Sequence, residues 1–224
     1  YKRQLLDINI YISEEGDVYN PADTIINDIS NDNFYKSWRI LNGNEEEGYI
    51  NFKINGTDLS GNIGDTISIT TDGSSILYDR TPPIDFIIEN LLTNNGNQVE
   101  GYWNSTNENL IFSIPIADDN TLLDGGGIQI QASFLDSNYL DLGEIYYIQE
   151  DALSDIKTMI IHKEYFQNLE GFDDDINVNF RAKMWDKAGN FTYSSENNDQ
   201  LHIDIIDPII EPVNIYSNNI LAVS

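Results

Sequence analysis

Residues 51–62 read NFKINGTDLSGN and residues 179–190 read NFRAKMWDKAGN. Asn-Phe and Asp-x-x-Gly-Asn thus recur together at one offset of 128 residues, 51 to 179 and 58 to 186. Each passage leads through a polar stretch into a short alternating segment closed by Asp and Pro, ILYDRTPP at 76–83 and LHIDIIDP at 201–208. Self-similarity at a fixed spacing restricts a chain to architectures assembled from like units. It also points away from a single active site and towards an array.

Hydrophobic periodicity says what kind of unit this is. In GGIQIQASF, Ile128, Ile130, Ala132 and Phe134 share one face, and Gln129, Gln131 and Ser133 share the other. Leu110, Phe112, Ile114 and Ile116 alternate likewise, as do Val178, Phe180, Ala182 and Met184, and then Leu201, Ile203 and Ile205. The first passage places Ile50, Phe52 and Ile54 inward, followed by Ile67 and Ile69, then Ile76 and Tyr78. Period-two runs separated by Gly, Asn and Asp clusters predict antiparallel sheets with one buried face. Two such sheets packed face to face make a sandwich. One or two helical turns are expected in 162–172, ended by Gly171, and in 31–43, ended by Gly43.

The Asp-to-Pro closes set the boundaries. Residues 1–83 read as the C-terminal part of one unit, and 84–208 as a complete one. The tail IIEPVNIYSNN (209–219) is similar to IDFIIENLLTNN (84–95), so 209–224 reads as the first strand of a following unit or as a strand donated to a neighbour. The chain opens at Tyr1 without Met, and reads as a processed product or a piece of something longer.

Composition narrows the partners. With 38 acids against 11 bases the formal charge is −27, which repels nucleic acid, anionic lipid and other copies of the chain. Hard divalent cations prefer the carboxylate and carbonyl oxygens such a chain offers, so calcium is an expected cofactor beside the plainer reading of acidity as solubility. There is no cysteine, hence no disulfide and no thiolate chemistry. No apolar run approaches the 18 residues of a membrane span.

Asp-Lys-Ala-Gly-Asn (186–190), the alternation after it, and the Asp-to-Pro close at 204–208 resemble the C-terminal signature of bacterial Ig-like tandem repeats. Such repeats are found in large secreted or surface-anchored proteins, including adhesins. GYWNSTNENLIFSIPIADD (101–119) and GGGIQIQASF (125–134) resemble the middle of such repeats. The resemblance covers most of 84–208 and roughly 45–83, while 1–44 departs from it. It implies an all-β fold of tandem Ig-like antiparallel sandwiches, an extracellular or cell-surface location, and neighbouring repeats or identical subunits as partners. It further implies calcium at the unit junctions, where Asp79, Asp204 and Asp207 lie and where Glu89 and Glu211 supply further oxygens.

Each candidate site has a plainer alternative. Asp58 and Asp186 face a cation, or they hold the backbone N–H groups of their own turn as in an Asx-turn, with Gly61 and Gly189 at positive φ. Asp173, Asp175 and Asn177 open like a helix–loop–helix calcium loop, but Val178 and Met184 stand where Gly and Glu are required. Trp185 alternates onto the polar face with Arg181 and Lys183, as a platform for surface glycans, as an interface contact, or as a ring partly buried under a loop. Asn55, Asn104 and Asn190 head incidental Asn-x-Ser/Thr sequons. His162 and His202 lie in no hydrolase, zinc or phosphate-loop motif, so the chain reads as no enzyme. The functions expected are a structural or adhesive array segment, a filament subunit polymerising by β-strand addition of 209–224, or a carbohydrate-binding module.

Overall fold

Alternating β-branched and aromatic residues pair into strands wherever a partner covers one face, and they do so in fifteen strands among the described residues. The structure is a computed structural model, and it describes residues 5–15, 18–28, 34–41, 43, 45–135, 138–195 and 200–210. The chain divides into two compact units. One comprises 1–83 with 120–126 and 185–191; the other comprises 84–119, 127–184 and 192–224.

In the first unit, β1 (Leu5–Glu15), β2 (Val18–Pro21), β5 (Gly48–Asp58) and β6 (Ile76–Tyr78) form a sheet ordered β2-β1-β5-β6, and β3 (Thr24–Asp28) pairs with β4 (Phe34–Trp38) as a hairpin. The β1–β5 register sets Ile10 opposite Ile54 and Ile12 opposite Phe52, so the expected apolar face forms. It is only half-buried. Ile67, Ile69 and Ile76, expected inward, are 58%, 77% and 68% exposed. The expected strand at 67–69 does not form: Ile67 makes only an isolated bridge to Ile54, and Ile69 lies in no strand. The expected helical turns at 31–43 are corrected as well: residues 34–38 are strand β4, in register with β3 from Asp28↔Phe34 to Thr24↔Trp38. The aromatic side chains there favour a pleated partner over a helix. Residues 31–33 lie outside the described residues.

The second unit is a two-sheet β-sandwich. Its strands are β7 (Asn90–Asn94), β8 (Tyr102–Asn104), β9 (Asn109–Pro115), β10 (Gly127–Phe134), β11 (Leu140–Tyr147), β12 (Ile156–His162), β13 (Ile176–Trp185), β14 (Phe191–Tyr193) and β15 (Gln200–Asp204). One sheet runs β12-β9-β7; the other runs β11-β10-β13-β15-β8, with β14 also on β13. Antiparallel pairing prevails, but β8 runs parallel to β15, from His202↔Tyr102 to Asp204↔Asn104. The parallel pair arises because the chain leaves the β12-β9-β7 sheet after β7 and crosses to the free edge of the other.

The predicted inward sets on β9, β10, β13 and β15 form the core: Leu110, Phe112 and Ile114 against Ile128, Ile130, Val178, Phe180 and Ile203, all buried. Burying each such side chain contributes roughly 1.5–3 kcal/mol relative to exposure. The expected helix is α1 (Lys163–Gln167). It inserts Phe166 into the core, edge-on to Trp103 at 5.1 Å and near Phe134, Phe172 and Phe180. Gln129, Gln131 and Ser133 point away from that core yet are buried too. Polar bonds accommodate the glutamines. Gln129 donates to the Leu142 carbonyl at 2.9 Å, and Gln131 donates to Asp141 at 2.7 Å while accepting from Arg181 at 2.8 Å.

Candidate functional site

The duplicated Asp-x-x-Gly-Asn passages build the same turn twice, both within the first unit. The strand ends at the Asp, Gly takes a positive φ of 83° at Gly61 and 93° at Gly189, and Asn begins the return. At Asp58, Oδ1 accepts from the backbone N–H groups of Ser60 and Asn62 at 2.9 Å each, and the Asn62 amide donates to Oδ2 at 3.0 Å. At Asp186, Oδ1 accepts from the Asn190 N–H at 2.9 Å, and Oδ2 accepts from the Asn190 amide at 2.9 Å. The Asp N–H donates to the Asn carbonyl in both, and the Gly N–H donates back to the Asp carbonyl. Both carboxylates therefore serve the Asx-type role read from the sequence.

The two turns differ in setting. Asp186 is 1% exposed, whereas Asp58 is partly open and Gly61 and Asn62 are exposed. Asn190 also uses its second amide hydrogen on the Asp79 carbonyl, at 3.1 Å. Two chain segments 111 residues apart in sequence are thus joined inside one unit by a single side chain.

Asp79 Oδ1 accepts from the Thr81 N–H at 3.0 Å, as in a local turn. Glu89, Asp204 and Asp207 are exposed, and Glu211 lies outside the described residues. Among the described residues no group of three or more His, Asp or Glu is placed to hold a metal ion. Of the histidines, His202 contacts Asn177 and Asp175 at 3.0 and 3.4 Å.

Trp185 is half-buried, with its indole N–H donating to the Gly125 carbonyl at 3.1 Å. That bond holds the ring against the 120–126 loop. Its neighbour on the polar face, Arg181, is more notable: the guanidinium lies 3.9 Å from the Tyr139 ring and 3.7 Å from the Tyr193 ring. This stack engages the cation and was not legible in the sequence, because Tyr139 and Tyr193 come from different loops and strands. Asn104, in a sequon, donates to the Asn97 carbonyl at 2.6 Å and accepts from Thr106, so its amide is part of a turn.

An open groove of about 460 Å3 lies in the second unit between the edge strands β11 and β12. Lys157 lies 3.8 Å over the Tyr146 ring at its wall, and the Tyr165 hydroxyl donates to Glu144 at 2.9 Å. The lining also includes Met159 and His162. The Glu144 hydrogen bond and charge raise the Tyr165 pKa above the ordinary 10.0. Because the folded value is raised, the bond's contribution is present below pH 10 and lost as pH rises through the folded value. Spectrophotometric titration is expected to find one tyrosine ionising late, and E144Q should return it to the ordinary range. A titration unchanged by E144Q would refute that assignment.

Compared with models of known families and with curated proteins, the chain matches none. No helix among the described residues is long and apolar enough to cross a membrane.

Proposed function

We propose that the chain is a structural segment of a bacterial extracellular array of Ig-like repeats, whose work is span, spacing and presentation. The observation that carries this reading is the repeated strand order. The strand order β2-β1-β5-β6 of the first unit matches the order β11-β10-β13-β15 of the second, and the long strands β5 and β13 lead into the same hydrogen-bonded turn. A duplicated scaffold with no metal-holding group of His, Asp or Glu among the described residues suits a mechanical role better than a catalytic one. Stretching single molecules of the parent polypeptide should give repeated unfolding steps. At about 3.6 Å per extended residue, a unit of 84–208 predicts increments of roughly 40–45 nm. Irregular increments, or a single event, would sink the reading.

Calcium belongs to this proposal in reduced form. Asp58 and Asp186 spend their oxygens on their own turns, which leaves Glu89, Asp204, Asp207 and Glu211, with Asp79, as ligands to test. A cation held only by the folded chain stabilises it by about 2.7 kcal/mol at a hundred times its dissociation constant. The unfolding temperature should then rise with calcium and fall with chelator. An identical midpoint in both removes calcium from the account and leaves the array standing.

A further inference from the structure

We propose that the groove between β11 and β12 binds a neutral oligosaccharide. The groove belongs to the second unit alone, so this goes beyond the array reading and stands or falls without it.

A defect in strand pairing builds the groove. Across the β10–β11 pair Ile128 lies opposite Tyr146 and Ile130 opposite Leu142, so Gly143, Glu144 and Ile145 together stand against Gln129. Such a bulge bends its strand and re-aims the side chains on it. Gly143 takes a φ of 73° there, and a Cβ in its place would lie 2.5 Å from Ile161 Cδ1. Only glycine adopts that backbone at no steric cost. Gln129 holds the bulge open: its buried amide donates to the Leu142 carbonyl at 2.9 Å and to the Ile130 carbonyl at 3.0 Å. The bulge carries Glu144 to the wall of the groove, where its carboxylate accepts from the Tyr165 hydroxyl of α1.

The groove keeps hydrogen-bonding capacity that the chain itself does not use. Lys157 rests on the Tyr146 ring and, among the described residues, makes no ion pair, in a chain with 38 acids. Among the same residues the Glu144 carboxylate accepts from the Tyr165 hydroxyl alone. An ammonium offers three donors and a carboxylate about four acceptor sites. Thr158 and His162 add groups that can donate or accept. Met159 and Ile161, both buried, supply an apolar part, and Tyr165 is 44% exposed.

That mixture selects the ligand. An ion of one sign would satisfy Lys157 or Glu144 and be repelled by the other. A polyol satisfies both, because each hydroxyl can donate to the carboxylate and accept from the ammonium. A sugar ring also has an apolar C–H face, which suits the amphipathic ring of a half-exposed tyrosine. The net charge of −27 repels anionic chains, so the glycan is neutral. The groove volume of about 460 Å3 falls within the ~300–1,000 Å3 of small-molecule sites.

The test titrates neutral tetrasaccharides of glucose, mannose, galactose and N-acetylglucosamine into the full chain, followed by amide chemical shifts. At least one should bind saturably, with shifts centred on 143–146 and 157–165. Glu144→Ala and Lys157→Met should each weaken it at least about tenfold, the scale of one hydrogen bond to a charged group, with the unfolding midpoint unchanged. The methionine keeps an apolar stem over Tyr146 and removes the donors. Lys187→Ala, in the first unit, should leave binding as it was. Silence from all four sugars, shifts centred elsewhere, or affinity indifferent to both groove variants would overturn the proposal. Tighter binding of tetragalacturonate would also overturn it, in favour of an anion site. Binding of an extended Thr-Val peptide in place of any sugar would do so in favour of strand addition to the β12 edge.

Discussion

Phe166→Ala is expected to destabilise the second unit by about 3–5 kcal/mol, the range for deleting a fully buried aromatic. Phe166 is 0% exposed. Four rings surround it: Trp103, Phe134, Phe172 and Phe180, at centroid distances of 5.1 to 6.0 Å. Edge-on and stacked rings add roughly 0.5–1.5 kcal/mol beyond burial, so the loss should lie towards the top of the range. The five-residue helix that carries Phe166 is too short to be stable by itself, and the packed ring is what retains it. Denaturant unfolding should show a lowered midpoint with an unchanged slope. In the same assay Ile69→Ala, at a position 77% exposed, should shift stability by less than about 0.5 kcal/mol. Similar losses for the two would refute the assignment of the core to the second unit.

Asp186→Ala should cost about 3 kcal/mol, and Asp58→Ala about 1. The two turns share their Asp–Asn bonds and differ in burial and in the Asn190–Asp79 link. Removing Asp186 strands the Asn190 N–H and one amide hydrogen where water has little access, and hydrogen bonds to a buried charge are worth roughly 1.5–3 kcal/mol each. It also releases the amide that holds the Asp79 carbonyl. Removing Asp58 exposes its donors to solvent, which replaces most of what is lost. Equal effects in unfolding experiments would mean that the two turns are interchangeable.

Some of this was readable from the residues. Leu110, Phe112, Ile114, Ile128, Ile130, Val178 and Phe180 announced their burial by alternation, because side chains two apart on a strand share a face. Asp-x-x-Gly-Asn announced its turn because donors, acceptor and positive-φ residue all lie within five positions. Alternation cannot say whether a face is covered, and so Ile67, Ile69 and Ile76 read as inward but stand exposed. Nor can it say that an outward face is capped, which hid the buried Gln129 and Gln131. Phe34, Tyr35 and Trp38 belong to a stretch whose Gly43 resembles a helix stop, and strand pairing with β3 outweighs that signal. The contacts Asn190–Asp79 and Arg181–Tyr139 depend on segments distant in sequence, where no local pattern operates.

The parallel pairing of β8 with β15 has a consequence under load. β8 lies near the entry of the second unit and β15 at its exit, with Ile203 opposite Trp103 and His202 edge-on to Tyr102 at 5.4 Å. Pulling the two ends of the unit apart drags these strands lengthwise past each other. Their hydrogen bonds then resist in shear, several at once, where an antiparallel hairpin pulled from its open end would unzip one bond at a time. Three residue pairs and one aromatic contact thus form a clasp across the line of force, and the unit should yield to tension abruptly instead of by gradual fraying.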